Sequence, residues 1–300
     1  MWKPHSRPAR LMMVTGGVVV ALVIGGLLLW SNREVLEGCE PSDLGGLGGS
    51  IVRLDPGTGR VIDTERTDYV GSAQVVGSKL LLGLLASNSD RKVRSLDIRP
   101  LAAAPVGIGD DGRDLVFRAA PDLPPVWRLP RAGGTVVGEF DGVAVVVGRD
   151  SQLRGIRSSD GSLVWNARDQ QVLIREARLV GDRVYAAGHR RTGAPSYNFR
   201  DGSLTGQAMA FDARTGAALW SAALPDPVAG TEVLVEGDVV IVTQQAVPGP
   251  NEGKAWVAGL ATGDGAIRWE RHLDRPQVKA LASNGSQTLA VTTDRVVTCP

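Results

Sequence analysis

From Ile51 onward, apolar and polar residues alternate in short runs separated by Gly, Asp, Asn and Pro, and no run sustains a helical period. Alternation at every second residue turns one face of each segment inward, so the pattern predicts an all-β domain. Strand pairs are predicted at Val70–Val76 with Leu80–Ala86, Thr135–Phe140 with Val143–Gly148, and Ile174–Val180 with Arg183–Gly188. Two more follow at Thr231–Val235 with Val239–Thr243 and at Lys279–Ser283 with Thr288–Thr292. Between these pairs lies a different unit, clearest from Ala208 to Trp220. Asp212 is placed to bond the backbone as the chain reverses, Thr215 to support it, and Gly216 to supply a positive φ. Trp220 then ends the unit as a large apolar wedge. A hairpin this short cannot bury its own apolar face, so its recurrence implies stacked units.

Aligned on the turn glycine, the unit recurs with Asp55 and Gly59, where Asp63 stands at the tryptophan position, with Gly161 and Trp165, and with Gly265 and Trp269. Weaker traces lie at Val93–Ile98 and Val116–Trp127. Gly161 to Gly216 spans 55 residues and Gly216 to Gly265 spans 49, while Gly59 to Gly161 spans 102, about two such periods. A period of roughly 40–50 residues carrying four strands is that of propeller blades. At these residues the chain resembles the PQQ-like repeat family, whose blades carry a pattern of the form Ala-x-Asp-x-x-Thr-Gly-x-x-x-Trp. The resemblance covers about residues 50–298 and implies the fold rather than a function, because the family includes quinone enzymes, assembly scaffolds and many other propellers.

Each strand pair except the last precedes a motif hairpin or its trace, which gives a four-strand unit. The domain opens on a motif hairpin, Ile51–Arg66, with no pair before it, and closes on a pair, Lys279–Thr292, followed only by Arg295–Thr298. The two ends are complementary halves. Sharing one blade between them closes a ring and removes exposed edges. The expected architecture is a propeller of about six four-stranded blades, within a range of five to seven. Ring closure also brings Cys39, before the first strand, towards Cys299, after the last; a disulfide and two unpaired thiols are the alternatives.

Upstream, residues 1–10 are basic and Leu11–Trp30 runs twenty residues without a charge, enough to cross a bilayer. Lys3, Arg7 and Arg10 precede the span, so the expected topology is a cytoplasmic tail, a single transmembrane signal-anchor at 11–30 and an exported bulk. A cleaved signal peptide and a lipoprotein site at Cys39 are the competitors. Residues 31–50 read as a flexible glycine-bearing linker and 51–300 as the propeller domain. The full chain holds 33 Lys and Arg against 32 Asp and Glu; without the three basic residues of the tail the balance is 30 against 32. That gives no electrostatic footprint for nucleic acid.

Catalytic patterns are sparse. Beyond His5 in the tail, His189 and His272 stand far apart and are read as surface residues, with no metal-ligand spacing around them. No cofactor or metal is expected: the resemblance implies a vicinal cysteine pair for a quinone enzyme, whereas the two cysteines here are 260 positions apart. The motif tryptophans Trp165, Trp220 and Trp269 are assigned to packing between blades. What remains is a surface. Two long insertions, His189–Gly206 and Gln244–Lys254, occupy matching places in neighbouring units and fall on one rim. His189, Arg190, Arg191, Tyr197, Phe199, Arg200, Gln244 and Gln245 are the candidate binding residues there, facing idle loops as the plain alternative. The functional expectation is a membrane-anchored, extracytoplasmic scaffold with a protein partner at the cell envelope. An exported propeller enzyme, dehydrogenase or hydrolase, active at its rim or channel is the alternative.

Overall fold

The motif turn folds as its residues dictate. Asp212 Oδ1 accepts hydrogen bonds from the backbone N–H of Arg214 at 3.0 Å, the N–H of Thr215 at 2.7 Å and the Thr215 hydroxyl at 2.8 Å. The chain then reverses through Gly216 at φ +69°, with Gly216 N–H bonded to Asp212 C=O at 2.9 Å. Asp55, Thr58 and Gly59 repeat this geometry, with 2.8 and 2.7 Å bonds from Thr58 to the Asp55 carboxylate. Other reversals are two-residue hairpins such as Asp141-Gly142, both at positive φ, which matches the right-handed twist of the flanking strands.

The computed structural model describes residues 48–76, 78–85, 91–99, 108–110, 114–117, 125–129, 134–167, 172–191, 204–224, 232–244, 255–273 and 277–293. Among them every regular element is a strand: β1 (Gly49–Leu54), β2 (Val61–Thr67), β3 (Tyr69–Val76), β4 (Lys79–Leu85), β5 (Arg91–Asp97), β6 (Ile108–Asp110), β7 (Leu115–Phe117), β8 (Trp127–Leu129), β9 (Gly134–Phe140), β10 (Val143–Gly148) and β11 (Leu153–Arg157). The second half continues with β12 (Leu163–Ala167), β13 (Val172–Val180), β14 (Arg183–Arg191), β15 (Leu204–Asp212), β16 (Ala218–Leu224), β17 (Val233–Glu236), β18 (Val239–Gln244), β19 (Trp256–Ala261), β20 (Ile267–His272), β21 (Gln277–Ser283) and β22 (Thr288–Thr293).

These strands form antiparallel sheets in chain order. The closing sheet runs β2-β1-β22-β21, the second β3-β4-β5, the third β6-β7-β8, the fourth β12-β11-β10-β9, the fifth β13-β14-β15-β16 and the sixth β17-β18-β19-β20. The first strand of the domain therefore pairs with its last, Gly49 opposite Thr293 and Leu54 opposite Thr288. The leading strands adjoin in succession, β6 beside β9, β9 beside β13, β13 beside β17, β17 beside β21 and β21 beside β3, which sets them around a common axis. Apolar clusters fill the seams: Val145, Trp165, Ile174 and Met209 between the fourth and fifth sheets, and Tyr185, Trp220, Val240 and Trp256 between the fifth and sixth.

The second and third sheets have three strands each among the described residues, and residues 100–107, 118–124 and 130–133 beside them lie outside that set. Two sequence expectations need correction. Strand β1 begins at Gly49, inside the segment read as linker, because Gly49 and Ser50 continue the ladder to both Thr67 and Thr293. His189 is not a surface loop residue: β14 runs through Arg191, paired to Leu204, and His189 is 1% exposed. The charged run after Gly188 carries no apolar alternation, so the pattern ended the strand too early. Among the described residues no helix is long and apolar enough to cross a membrane. Leu11–Trp30, Cys39, Cys299 and Arg295–Thr298 lie outside the described residues.

Candidate functional site

The motif tryptophans lock neighbouring sheets. Trp165 of the fourth sheet donates its indole N–H to Ala213 C=O of the fifth at 3.0 Å, Trp220 of the fifth to Thr262 C=O of the sixth at 2.9 Å, and Trp269 of the sixth to Pro56 C=O of the closing sheet at 2.9 Å. Each ring lies over the next turn's glycine, Gly216, Gly265 and Gly59 in that order. A fourth lock was visible in the sequence only as a trace: Trp127 donates to Ser158 C=O at 2.9 Å, covers Gly161 and stacks on Phe117 at 5.8 Å. In the closing sheet Asp63 takes the tryptophan's place opposite Arg53 and pairs with it at 2.6 Å. These indoles are committed to seams. Among the described residues no group of three His, Cys, Asp or Glu suited to a metal ion occurs.

Two sets of bulges shape the surfaces. In the outer strands one extra residue precedes the tryptophan position, namely Ile62, Val164, Leu219 and Arg268. The bulge turns Ile62, Val164 and Leu219 outward, and they are exposed. In the leading strands the extra residues are Gly71, Val137, Arg175 and Lys279. Beside the axis, Arg178 pairs with Glu176 on β13. Burial, followed by the negative charge of Glu176, pushes Glu232 up to about 7, with Arg178 opposing. Burial also raises Glu176 and lowers Lys279. Sequence reading missed this group, because its members are unremarkable singly and meet only when the leading strands converge.

The predicted rim residues divide. Arg190 sits near the end of β14, where its Nε donates to Gln207 Oε1 at 2.6 Å. Arg191 pairs opposite Leu204 at the end of the same ladder, and Gln244 ends β18 opposite Trp256. Tyr197, Phe199, Arg200 and Gln245 lie outside the described residues. His189, sharing the face of Tyr185 and Ala187 by alternation, keeps Nδ1 buried without a partner. Burial, aided by the charge of Arg175, depresses its pKa to about 4.

Two recesses lie among the sheets. One of about 730 Å³ opens near the Asp141–Arg214 ion pair, which is 2.7 Å long. The other, about 330 Å³, lies between the fourth and fifth sheets, walled by Asn166, Ile174, Arg190, Met209, Phe211 and Ser221.

Residues 201–299 match the sequence profile of the family described as outer membrane protein assembly factor BamB. No curated protein matches the chain. Among solved structures the chain is similar to BamB from Moraxella catarrhalis, at 14% identity over 80% of this chain and 91% of that one, with a TM-score of 0.32. It is also similar to quinohemoprotein alcohol dehydrogenase from Comamonas testosteroni, at 14% identity over 79% of this chain but 38% of that one, with a TM-score of 0.40. The chain thus spans well under half the length of that dehydrogenase. The profile match takes in β15 and β16 of the fifth sheet, the whole sixth sheet and β21 and β22 of the closing sheet, where the Asp-Thr-Gly turn and the tryptophan lock recur, and over these residues the chain is similar to the PQQ-like β-propeller family.

Proposed function

We propose that the protein is a membrane-anchored scaffold whose propeller docks a protein partner on the face bearing the longest connections. The observation that carries this reading is the fifth sheet's β14–β15 ladder, nine residues in each strand against six in β18 and β19. It extends past its neighbour on that face with Arg190 and Arg191 near its tip. A rigid ladder docks a partner with little ordering cost. The profile match to a family described as an assembly factor points the same way. A photo-crosslinking residue at Arg191 should capture one protein reproducibly, while the same residue at Val61, beside a motif turn on the opposite face, should not. Equal capture at both, or none at Arg191, would rule the docking face out.

Anchoring by Leu11–Trp30, an exported domain and a Cys39–Cys299 bridge belong to the same proposal. The chain enters the domain at Gly48 and leaves it at Thr293 on one face, with Thr293 Oγ1 donating to Gly48 C=O at 3.4 Å. Both tethers therefore start side by side. Non-reducing alkylation of the full chain should leave both thiols unmodified until a reductant is added; free labelling of either one refutes the bridge.

A second reading, chemistry at the axis, is favoured by Glu232, whose raised pKa sits where a general acid or base functions at neutral pH.

A further inference from the structure

Strand register puts Gln207 and Trp256 at equivalent places. Each lies three residues before the residue opposite its sheet's tryptophan, Ala210 facing Trp220 and Gly259 facing Trp269. Each also reaches the residue just after that tryptophan: Trp256 Nε1–H donates to Glu270 Oε2 at 3.2 Å, and Gln207 Nε2–H donates to Ser221 Oγ. In the sixth sheet the indole of Trp256 fills the seam towards the fifth and is 3% exposed. In the fifth sheet the smaller Gln207 shares the face of Met209 and Phe211, bonded to Arg190 and Ser221, and these four neighbours wall a 330 Å³ recess towards the fourth sheet. By this register a tryptophan in place of Gln207 would project to the side of the sheet on which the recess lies.

Its walls are chemically asymmetric. Ile174, Met209 and Phe211 are apolar. Arg190, Gln207 and Ser221 form a hydrogen-bonded row across β14, β15 and β16, bringing a guanidinium to one side. From the fourth sheet, Asn166 contributes a side-chain carbonyl oxygen, Oδ1, that is buried and accepts no hydrogen bond. A buried acceptor without a donor is destabilising, so a bound group able to donate recovers that loss. The volume is at the lower end of small-molecule sites, which run from roughly 300 Å³ upward.

We infer that this recess binds a small heteroaromatic carboxylate. The ring lies against Met209 and Phe211, its N–H donates to Asn166 Oδ1, and its carboxylate meets Arg190. This site lies between sheets and shares Arg190 with the proposed docking face, but its test is binding of a small molecule and is decided whether or not a protein partner is found.

Indole-3-acetate is the probe, titrated into the full chain by calorimetry. Binding should saturate at micromolar to millimolar concentration. Methylating the ring nitrogen, or Asn166→Leu in the protein, should weaken binding by about tenfold, and the two changes together should cost no more than either alone. Indole-3-ethanol, which lacks the carboxylate, should lose about tenfold or more. Gln207→Trp copies the sealed seam and should abolish binding while the β-sheet circular dichroism persists. Absence of saturation at millimolar probe, or undiminished binding to a folded Gln207→Trp protein, overturns the inference. Equal affinity for the methylated ring removes Asn166 from it.

Discussion

Trp220→Ala is expected to destabilise the domain by about 3–5 kcal/mol, the range for emptying a well-packed tryptophan site. Trp220 is 8% exposed, its indole covers Gly265 of the next sheet, and its N–H satisfies Thr262 C=O at 2.9 Å. The substitution removes apolar packing between two sheets and leaves a carbonyl with one fewer donor. For a domain of this size each kcal/mol lowers the melting temperature by roughly 2–4 °C, so a drop on the order of 10 °C should be seen. Trp220→Phe keeps much of the apolar area and loses only the N–H, so it should fall well short of that drop. The equivalent lock one seam earlier, between the fourth and fifth sheets, can be attacked from its glycine side. A Cβ at Gly216 would sit 2.5 Å from the Trp165 ring, on a backbone at φ +69° that L residues avoid. Gly216→Ala should therefore destabilise, and its cost should shrink when Trp165 is already alanine, because the clash has gone and only the backbone strain remains. Thermal unfolding of the four proteins in that cycle measures the coupling. Additive losses would show that the indole and the glycine do not share one lock.

The turn, the lock and the closure of the ring were legible for a local reason. Asp212, Thr215, Gly216 and Trp220 lie within nine residues, and each type is there for a constraint the backbone imposes at that point. The complementary half-units at the two termini were legible from order alone, and β1 does pair with β22. The limits appear where structure depends on register across sheets. Trp127 follows no turn glycine at the motif spacing, yet it makes the same bond as the others, and only its position opposite Phe117 shows this. His189 sits in a run of charges that reads as loop, but the strand continues because Arg190 finds Gln207, seventeen positions on. The axial group Glu176, Arg178 and Glu232, and the difference between Gln207 and Trp256, arise from aligning separate sheets, which no local pattern encodes. The domain's strands were therefore clearer in the sequence than its sites.

A pH series should separate two buried groups that oppose each other. Glu232 has a folded pKa raised from 4.5 to about 7. Below 4.5 it is protonated in both states, and as pH rises towards 7 the unfolded chain ionises first, so stability falls across that window. His189 has a folded pKa lowered from 6.5 to about 4. Above 6.5 it is neutral in both states, and as pH falls towards 4 the unfolded chain gains the proton first, so stability falls in the opposite direction. Each shift corresponds to roughly 3 kcal/mol at 1.36 kcal/mol per unit. Between 4.5 and 6.5 the two slopes cancel, and urea unfolding of the wild-type domain should give a nearly level stability there, apart from the smaller alkaline loss that Glu176 adds. The turn carboxylates Asp55, Asp160 and Asp212, held low by the hydroxyls of Thr58, Ser162 and Thr215, weaken the fold only below the ordinary aspartate value of 3.8. Glu232→Gln deletes one slope, so the variant should lose stability on acidification from 6.5 and gain over wild type towards pH 7. His189→Gln should do the reverse, losing stability as pH rises from 4.5. The difference between each variant and wild type reports the group together with the ionisations coupled to it, which for Glu232 means Glu176. A Glu232→Gln difference that stays constant between pH 4.5 and 7 would mean that this carboxyl ionises in the folded protein as it does in water, and the buried axial cluster would lose its main member.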